Sequence, residues 1–532
     1  MRAAVKRGFS LAVIGSMLVQ GPALAVPPER IQQRSEQGLC RKPAPLPMLG
    51  VEQFQDQQQG GWRPRPEPMP TVGTMESGEI VTTARSSAAV DSPEVPPPPP
   101  PPAPPPPPGE DAAAAVPETT GKTTAVAAPA AKAELRRADG EMGRIMPPYP
   151  PPYPHPRPQA GLLTAGEHDD LLNPELYADY VRRSQLGQQV PDLPRLDTQK
   201  VLTVVVHDTA GRPVPFAQVE LACADGSRLR LATTADGTVT FFPELDHLGR
   251  DVWIRTPGEE WRAVAIPTRR GAQRVDFTID RAAPQVRKLD LMLVIDTTGS
   301  MGDEIRYLQT ELASIVGALK AKHSGIDMRV GFVFYRDIGD DYVTQTVPLG
   351  RDIALAQNEL RQRWAGGGGD YPEAVDRAMI RANAADWRPD AVKSLLLVAD
   401  APPHDDKIGL AWSAAENLRA KRVQIVPVAA SGVAAKAEYV MRAMAAATQS
   451  RYTFLTDDSG IGNPHAAPAI DCYLVTRLDA LLRRVIDSQI SGRRIEPDES
   501  EVIRSVGQYD KGRCVIPRGY GQGRRQEGLQ DQ

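Results

Sequence analysis

The stretch Leu291-Met292-Leu293-Val294-Ile295 is apolar without alternation and stops at Asp296. A strand apolar on both faces has to be covered on both faces, so the chain around it must supply helices above and below. Ile305, Leu308, Leu312, Ile315, Val316 and Leu319 recur at helical spacing in a helix predicted over 301–322. The rhythm continues through MRVGFVFYRD, TQTVPL, a helix to Trp364, a helix from Pro372, VKSLLLVAD, another helix, VQIVPVAAS, a helix, RYTFL and a closing helix from Tyr473. Strand and helix in turn predict a doubly wound α/β unit on a mainly parallel sheet over residues 285–495.

The chain ahead of this unit is built differently. From Lys200 the runs VLTVVVHD, FAQVELACADG, RLRLATTADG, TVTFFPE, DVWIRT, RAVAIPT and RVDFTID are short alternating strands between Gly and Asp turns. They predict a small antiparallel β-sandwich over 197–284. Residues 161–196 regain apolar spacing at Leu171, Leu172, Leu176, Tyr180 and Val181, which suits one short docking helix. Of 52 prolines, 36 precede residue 200, with runs at Pro96 to Pro102 and Pro104 to Pro108. Residues 26–160 therefore read as a disordered Pro/Ala-rich linker, locally polyproline II and suited to act as a spacer. Residues 496–532 form a C-terminal extension.

Residues 1–25 have the form of a signal peptide: Arg2, Lys6 and Arg7, the apolar run Phe9 to Val19, then Ala23-Leu24-Ala25. Cleavage after Ala25 is expected, with a periplasmic or secreted product. The apolar run is too short for a transmembrane span, and the first cysteine, Cys40, lies too far downstream for lipid attachment. Export permits disulfides, and Cys472 and Cys514 bracket one C-terminal segment, so a bond between them is expected. For Cys40 and Cys223, in differently built regions, free thiols stand equally open. A net charge of -4 with no basic stripe argues against nucleic acid as a partner.

The chemistry concentrates where strands end. Asp296-Thr297-Thr298-Gly299-Ser300 offers a carboxylate and two hydroxyls at alternate positions, the donors a hard cation takes. Gly366-Gly367-Gly368-Gly369-Asp370-Tyr371-Pro372-Glu373 joins glycine freedom to carboxylates ahead of a helix, and Leu397-Val398-Ala399-Asp400-Ala401-Pro402-Pro403 ends another apolar strand in an aspartate. In open α/β sheets ligands sit at the carboxyl ends of strands, where strand order reverses. Helix capping by Thr298 or Ser300 is the competing explanation for one loop, but it does not account for three.

In DTTGSMGDEI, VFYRDIGDD, GGGGDYPEAV and LLLVADAPPH this region resembles the von Willebrand factor type A family, in particular its hemicentin-like and alpha-kinase-associated branches. The resemblance implies a metal-ion-dependent adhesion site. Asp296, Thr298 and Ser300 match the family's Asp-x-Ser/Thr-x-Ser ligands, and Asp400 matches the aspartate after the fourth strand. From the middle loop Asp370 is preferred as ligand, with Glu373 as substitute, where many members use threonine. The ion implied is divalent, Mg²⁺ before Mn²⁺ or Ca²⁺, its open position completed by an acidic group of a protein partner. The run GRPVPFAQVEL with TTADGTVTF resembles carboxypeptidase regulatory-like or prealbumin-like modules, implying a scaffold or presentation role.

Enzyme signatures are absent from the sequence. No Gly-x-x-x-x-Gly-Lys-Ser/Thr, His-Glu-x-x-His or Gly-x-Ser-x-Gly occurs, and of seven scattered histidines only His404 lies near the proposed site, where a solvated loop role suffices. The expected function is that of an exported, non-enzymatic binding or adhesion protein. A metal-dependent hydrolase or transferase, with His404 or Glu373 as base, and a structural envelope component are the alternatives.

Overall fold

The computed structural model describes residues 40–49, 159–266, 271–303, 305–462 and 464–515. The expected signal peptide, most of the Pro/Ala-rich linker and the end of the C-terminal extension lie outside them.

In chain order the elements are β1 (Thr164–His168), α1 (Pro174–Ser184), α2 (Leu186–Gln189), β2 (Leu202–Asp208), β3 (Gln218–Cys223), β4 (Arg228–Ala232), β5 (Thr238–Phe241), β6 (Asp251–Arg255), β7 (Arg262–Ala265) and β8 (Gln273–Ile279). Then follow β9 (Lys288–Asp296), α3 (Ile305–Lys322), β10 (Asp327–Tyr335), β11 (Thr344–Gly350), α4 (Ile353–Arg361), α5 (Val375–Ala384), β12 (Val392–Ala399) and α6 (Ile408–Ala420). The chain closes with β13 (Gln424–Ala429), α7 (Ala435–Ala447), β14 (Tyr452–Thr456), β15 (Tyr473–Arg477), α8 (Leu478–Ser491), β16 (Arg504–Val506), β17 (Tyr509–Asp510) and β18 (Arg513–Cys514).

The main sheet has the order β11-β10-β9-β12-β13-β14-β1-β15-β16. β10, β9, β12, β13 and β14 run parallel, so the mostly parallel α/β sheet is as the sequence predicts. Leu291, Met292, Leu293, Val294 and Ile295 of β9 are all buried, and alternate residues feed two separate apolar clusters on the two faces of the sheet. Truncating Leu293 to alanine there costs about 2–5 kcal/mol.

Three elements differ from the sequence reading. The segment 161–196 supplies a strand as well as two short helices where one was expected: β1 inserts antiparallel between β14 and β15. Gly166 makes the insertion possible, since a β-carbon there would lie 2.4 Å from Phe454 Cζ. The expected closing helix from Tyr473 opens instead as strand β15, with α8 after it, and the C-terminal extension adds β16 to the sheet edge.

β1 is locked by charge. Glu167 is buried, bonded to Arg451 at 2.7 Å and Arg484 at 3.0 Å. Burial alone would raise its pKa, but Arg451, Arg484 and Arg494 outweigh it and hold the group at about 2.

The described strands between 202 and 279 form two sheets, β5-β2-β8 and β4-β3-β6-β7. Pairing is antiparallel except for β2 with β8, which run parallel, so the sandwich is mixed rather than wholly antiparallel. It is bolted to the α/β domain by Arg419, which bonds Asp246 at 2.7 Å and the Thr240 carbonyl at 2.9 Å.

Both cysteine pairs are disulfides: Cys472–Cys514 and, where the sequence left the thiols open, Cys40–Cys223. The second places residues 40–49, inside the stretch read as disordered, firmly on the body. Arg41 N donates to the Asp246 carbonyl at 2.9 Å, and Asn417 Nδ2 donates to the Ala44 carbonyl at 2.8 Å.

Glu167→Gln strips one partner from two buried guanidinium groups and should destabilise the protein by about 3–5 kcal/mol in denaturant unfolding. Because the folded pKa lies below the unfolded value, Glu167's contribution is complete above about pH 4.5 and is lost as pH falls towards 2. Wild type should therefore lose the difference from Glu167→Gln across that window.

Candidate metal centre

Strand order reverses at β9: β10 lies on one side of it and β12 on the other. The loops leaving the carboxyl ends of these strands therefore meet above Asp296, the crevice where α/β sheets bind ligands.

The first loop folds around its own aspartate. Asp296 Oδ1 accepts from Thr298 N at 2.9 Å and Thr298 Oγ1 at 2.7 Å, and Thr298 Oγ1 lies 3.1 Å from Ser300 Oγ. Asp296 and Thr298 are fully buried, whereas Ser300 is exposed. The three oxygens thus form a chain from the interior to the surface.

The glycine loop is zipped onto the first. Gly366 N donates to the Thr297 carbonyl at 3.0 Å, and Gly299 N donates to the Gly367 carbonyl at 3.1 Å. Gly367 and Gly368 take φ of +78° and +73°, a conformation that favours glycine. The turn brings Gly368 over Thr298 and Glu373 and lets its N–H reach Asp340 Oδ2 at 2.8 Å. Glu373 N then donates to the Pro402 carbonyl at 3.0 Å, which pins this loop to the one after Asp400. The Tyr371 hydroxyl completes the latch: it accepts from Ala434 N at 2.7 Å and faces the carbonyls of Gly432 at 3.0 Å and Asp400 at 3.2 Å.

Electrostatics show what has been brought together. Burial, then repulsion from Asp296, Asp337, Asp400 and Asp340, pushes Glu373 up to about 9. Burial raises Asp296 to about 6 against the hydrogen bonds from Thr298, with Asp337 adding repulsion. Asp296 Oδ2 and Glu373 Oε2 are buried without a well-formed hydrogen bond. The buried Tyr335 hydroxyl eases the ionisation of Asp296 from outside good hydrogen-bond geometry. Among the described residues no three His, Cys, Asp or Glu side chains form a ready-made metal cage, and the oxygens gathered here are carboxylates together with the Thr298 and Ser300 hydroxyls. An oxygen-only donor set with two orphaned buried carboxylate oxygens fits a hard dication, which turns each repulsion into attraction.

The structure thus brings Asp296, Thr298, Ser300 and Asp400 together, and from the middle loop it adds Glu373. Asp370, preferred from the sequence, is exposed instead, because the two left-handed glycines turn the chain back before Pro372 can lead Glu373 inward. Sequence reasoning did not assign Asp337 and Asp340. Both lie in the quoted run VFYRDIGDD, directly after a buried apolar strand, which is the signal that could have found them. Asp337 Oδ1 lies 2.8 Å from His404 Nε2, so His404 belongs to the rim of the centre rather than to solvent.

Residues 290–464 match the von Willebrand factor type A domain, and the mostly parallel sheet with its helices is the fold of such a domain. Over 215 residues the chain is 33% identical to the alpha-protein kinase vwkA of Dictyostelium discoideum, covering 39% of this chain and 32% of that protein. Over 119 residues it is 34% identical to a putative ariadne-like RING finger protein R811 of Acanthamoeba polyphaga mimivirus, covering 22% of this chain and 11% of that one. The chain thus spans a third or less of these relatives. Among solved structures, BatB of Bacteroides thetaiotaomicron is similar over 38% of this chain and 98% of its own, at 11% identity and a TM-score of 0.27. The open conformation of the pilus adhesin SpaC of Lactobacillus rhamnosus GG is similar over 39% of this chain and 30% of its own, at 13% identity and a TM-score of 0.29.

A β-carbon at Gly367 would stand 2.4 Å from Asp340 Cγ, in backbone that already has positive φ, whereas Gly369 has open space around it. Gly367→Ala should cost about 1–3 kcal/mol in denaturant unfolding. Gly369→Ala should stay within about 0.5 kcal/mol.

Proposed function

We propose that this chain is an exported binding or adhesion protein whose von Willebrand factor type A domain holds a divalent cation, Mg²⁺ foremost, and through it an acidic group of a protein partner. The observation that carries the reading is the pair of orphaned buried oxygens, Asp296 Oδ2 and Glu373 Oε2, set beside the Thr298 hydroxyl and Asp400. The ligand set is Asp296, Thr298, Ser300, Glu373 and Asp400. The type A domain supports a protein-interaction role.

The two disulfides, which engage Cys40, Cys223, Cys472 and Cys514, support passage through an oxidising compartment. Among the described residues no helix is long and apolar enough to cross a membrane. We assign the sandwich the scaffold role that its resemblance to carboxypeptidase regulatory-like modules implies. We read the chain as a binder rather than an enzyme because the sequence carries no nucleotide-hydrolysis, metalloprotease or serine-nucleophile motif; a hydrolase would have to call on His404 or Glu373 as base.

Thermal unfolding of the full chain with Mg²⁺ and with chelator tests the metal. At Mg²⁺ one hundredfold above Kd the expected stabilisation is about 2.7 kcal/mol, a rise in Tm of about 5–10 °C. Asp296→Ala and Glu373→Gln should lose the rise and Asp370→Ala should keep it. An equal rise in Asp296→Ala and wild type sinks the proposal.

A further inference from the structure

The crevice is framed by side chains that a bare ion site does not need. Ile338, Trp364 and Tyr371 are 55%, 54% and 43% exposed, three of the large apolar side chains that this surface leaves to solvent. Each is built into the loops of the centre. Ile338 follows Asp337 and precedes Asp340, whose carboxylate holds Gly368 N. Trp364 stacks on Arg336 at 4.3 Å, and Arg336 Nε donates to the Thr297 carbonyl at 3.1 Å. Tyr371 is the latch over Asp400.

Charge around this collar is mostly of one sign. Segments 296–300, 336–342, 364–373 and 400–407 carry nine carboxyl groups and two cationic side chains, Arg336 and Lys407. Buried Arg336 lies 3.7 Å from Asp341, Lys407 is bonded to Asp406, and Lys436 reaches in to Asp405, so the carboxyl groups stay in excess. Asp341 and Asp370 stand exposed. A dication leaves such a mouth negative, so a ligand offering only a carboxylate is repelled on approach, and over a Debye length of about 8 Å that repulsion acts on the whole contacting segment.

We infer that the collar and the acidic ring select the partner: it presents an exposed loop in which one carboxylate is flanked by lysine or arginine and by a large apolar side chain. The inference rests on the metal reading above. The carboxylate goes to the ion, the apolar flank covers Ile338, Trp364 and Tyr371, and the basic flank answers Asp341 and Asp370. The ion supplies the anchor and the rim supplies discrimination, as charge complementarity does at interfaces generally.

The test is a selection from a random cyclic-peptide display library on the immobilised full chain in Mg²⁺, eluted with chelator. Enrichment of Asp or Glu next to Lys or Arg and an apolar residue is expected. A synthetic peptide from the enriched set should bind Asp341→Lys about tenfold more weakly, with a flatter salt dependence, and Ile338→Ser about five- to tenfold more weakly. Both variants should keep the wild-type Mg²⁺ rise in Tm, since neither residue is a proposed ligand. Carboxylate peptides with neutral or acidic flanks, unchanged affinity in both variants, or no enrichment while the Mg²⁺ rise persists would each overturn the inference and leave the metal reading standing. Loss of the Mg²⁺ rise in wild type overturns the metal reading itself.

Discussion

Carboxylates withdrawn from water repel one another, and the carboxyl edge of this sheet is organised around that repulsion. Burial first, then repulsion from Asp296, Asp337, Asp400 and Asp340, lifts Glu373 to about 9. Such an arrangement is costly in isolation, and the fold sustains it because β9 is held on both sides and on both faces by apolar packing. Stability elsewhere in the domain offsets the repulsion at this edge.

The rigidity of the edge comes from reciprocal backbone bonds. Thr297 and Gly299 exchange hydrogen bonds with Gly366 and Gly367, and Glu373 answers Pro402, so the three loops behave as one piece. Arg336 ties the same piece from beneath, with the Thr297 and Trp364 carbonyls on its guanidinium and the Tyr342 ring 4.7 Å away. Displacing any one loop therefore disturbs the others.

Much of this was legible in the sequence, and what was not has particular causes. The parallel core announces itself because Leu291 to Ile295 can only be a doubly covered strand, and Asp296 and Asp400 follow as the residues at which such strands end. β1 is hidden because Thr164-Ala165-Gly166-Glu167-His168 carries one small apolar residue; it is a strand because Gly166 clears Phe454 and because Arg451 and Arg484 wait for Glu167. The choice between Asp370 and Glu373 turns on the φ of Gly367 and Gly368, which four successive glycines leave undetermined until Asp340 and Pro402 fix the loop. The parallel pairing of β2 with β8 joins residues 71 positions apart, from Leu202 to Gln273, beyond the reach of turn signals.

The Cys40–Cys223 bond changes the standing of everything between its anchor and the α/β domain. Cys40 is tied to Cys223 and the Gly161 N–H is held by Glu311, so the chain is fastened to one and the same body on both sides of residues 50–158. A peptide bond cut between those two anchors leaves a single covalent particle, and only reductant lets the two pieces part.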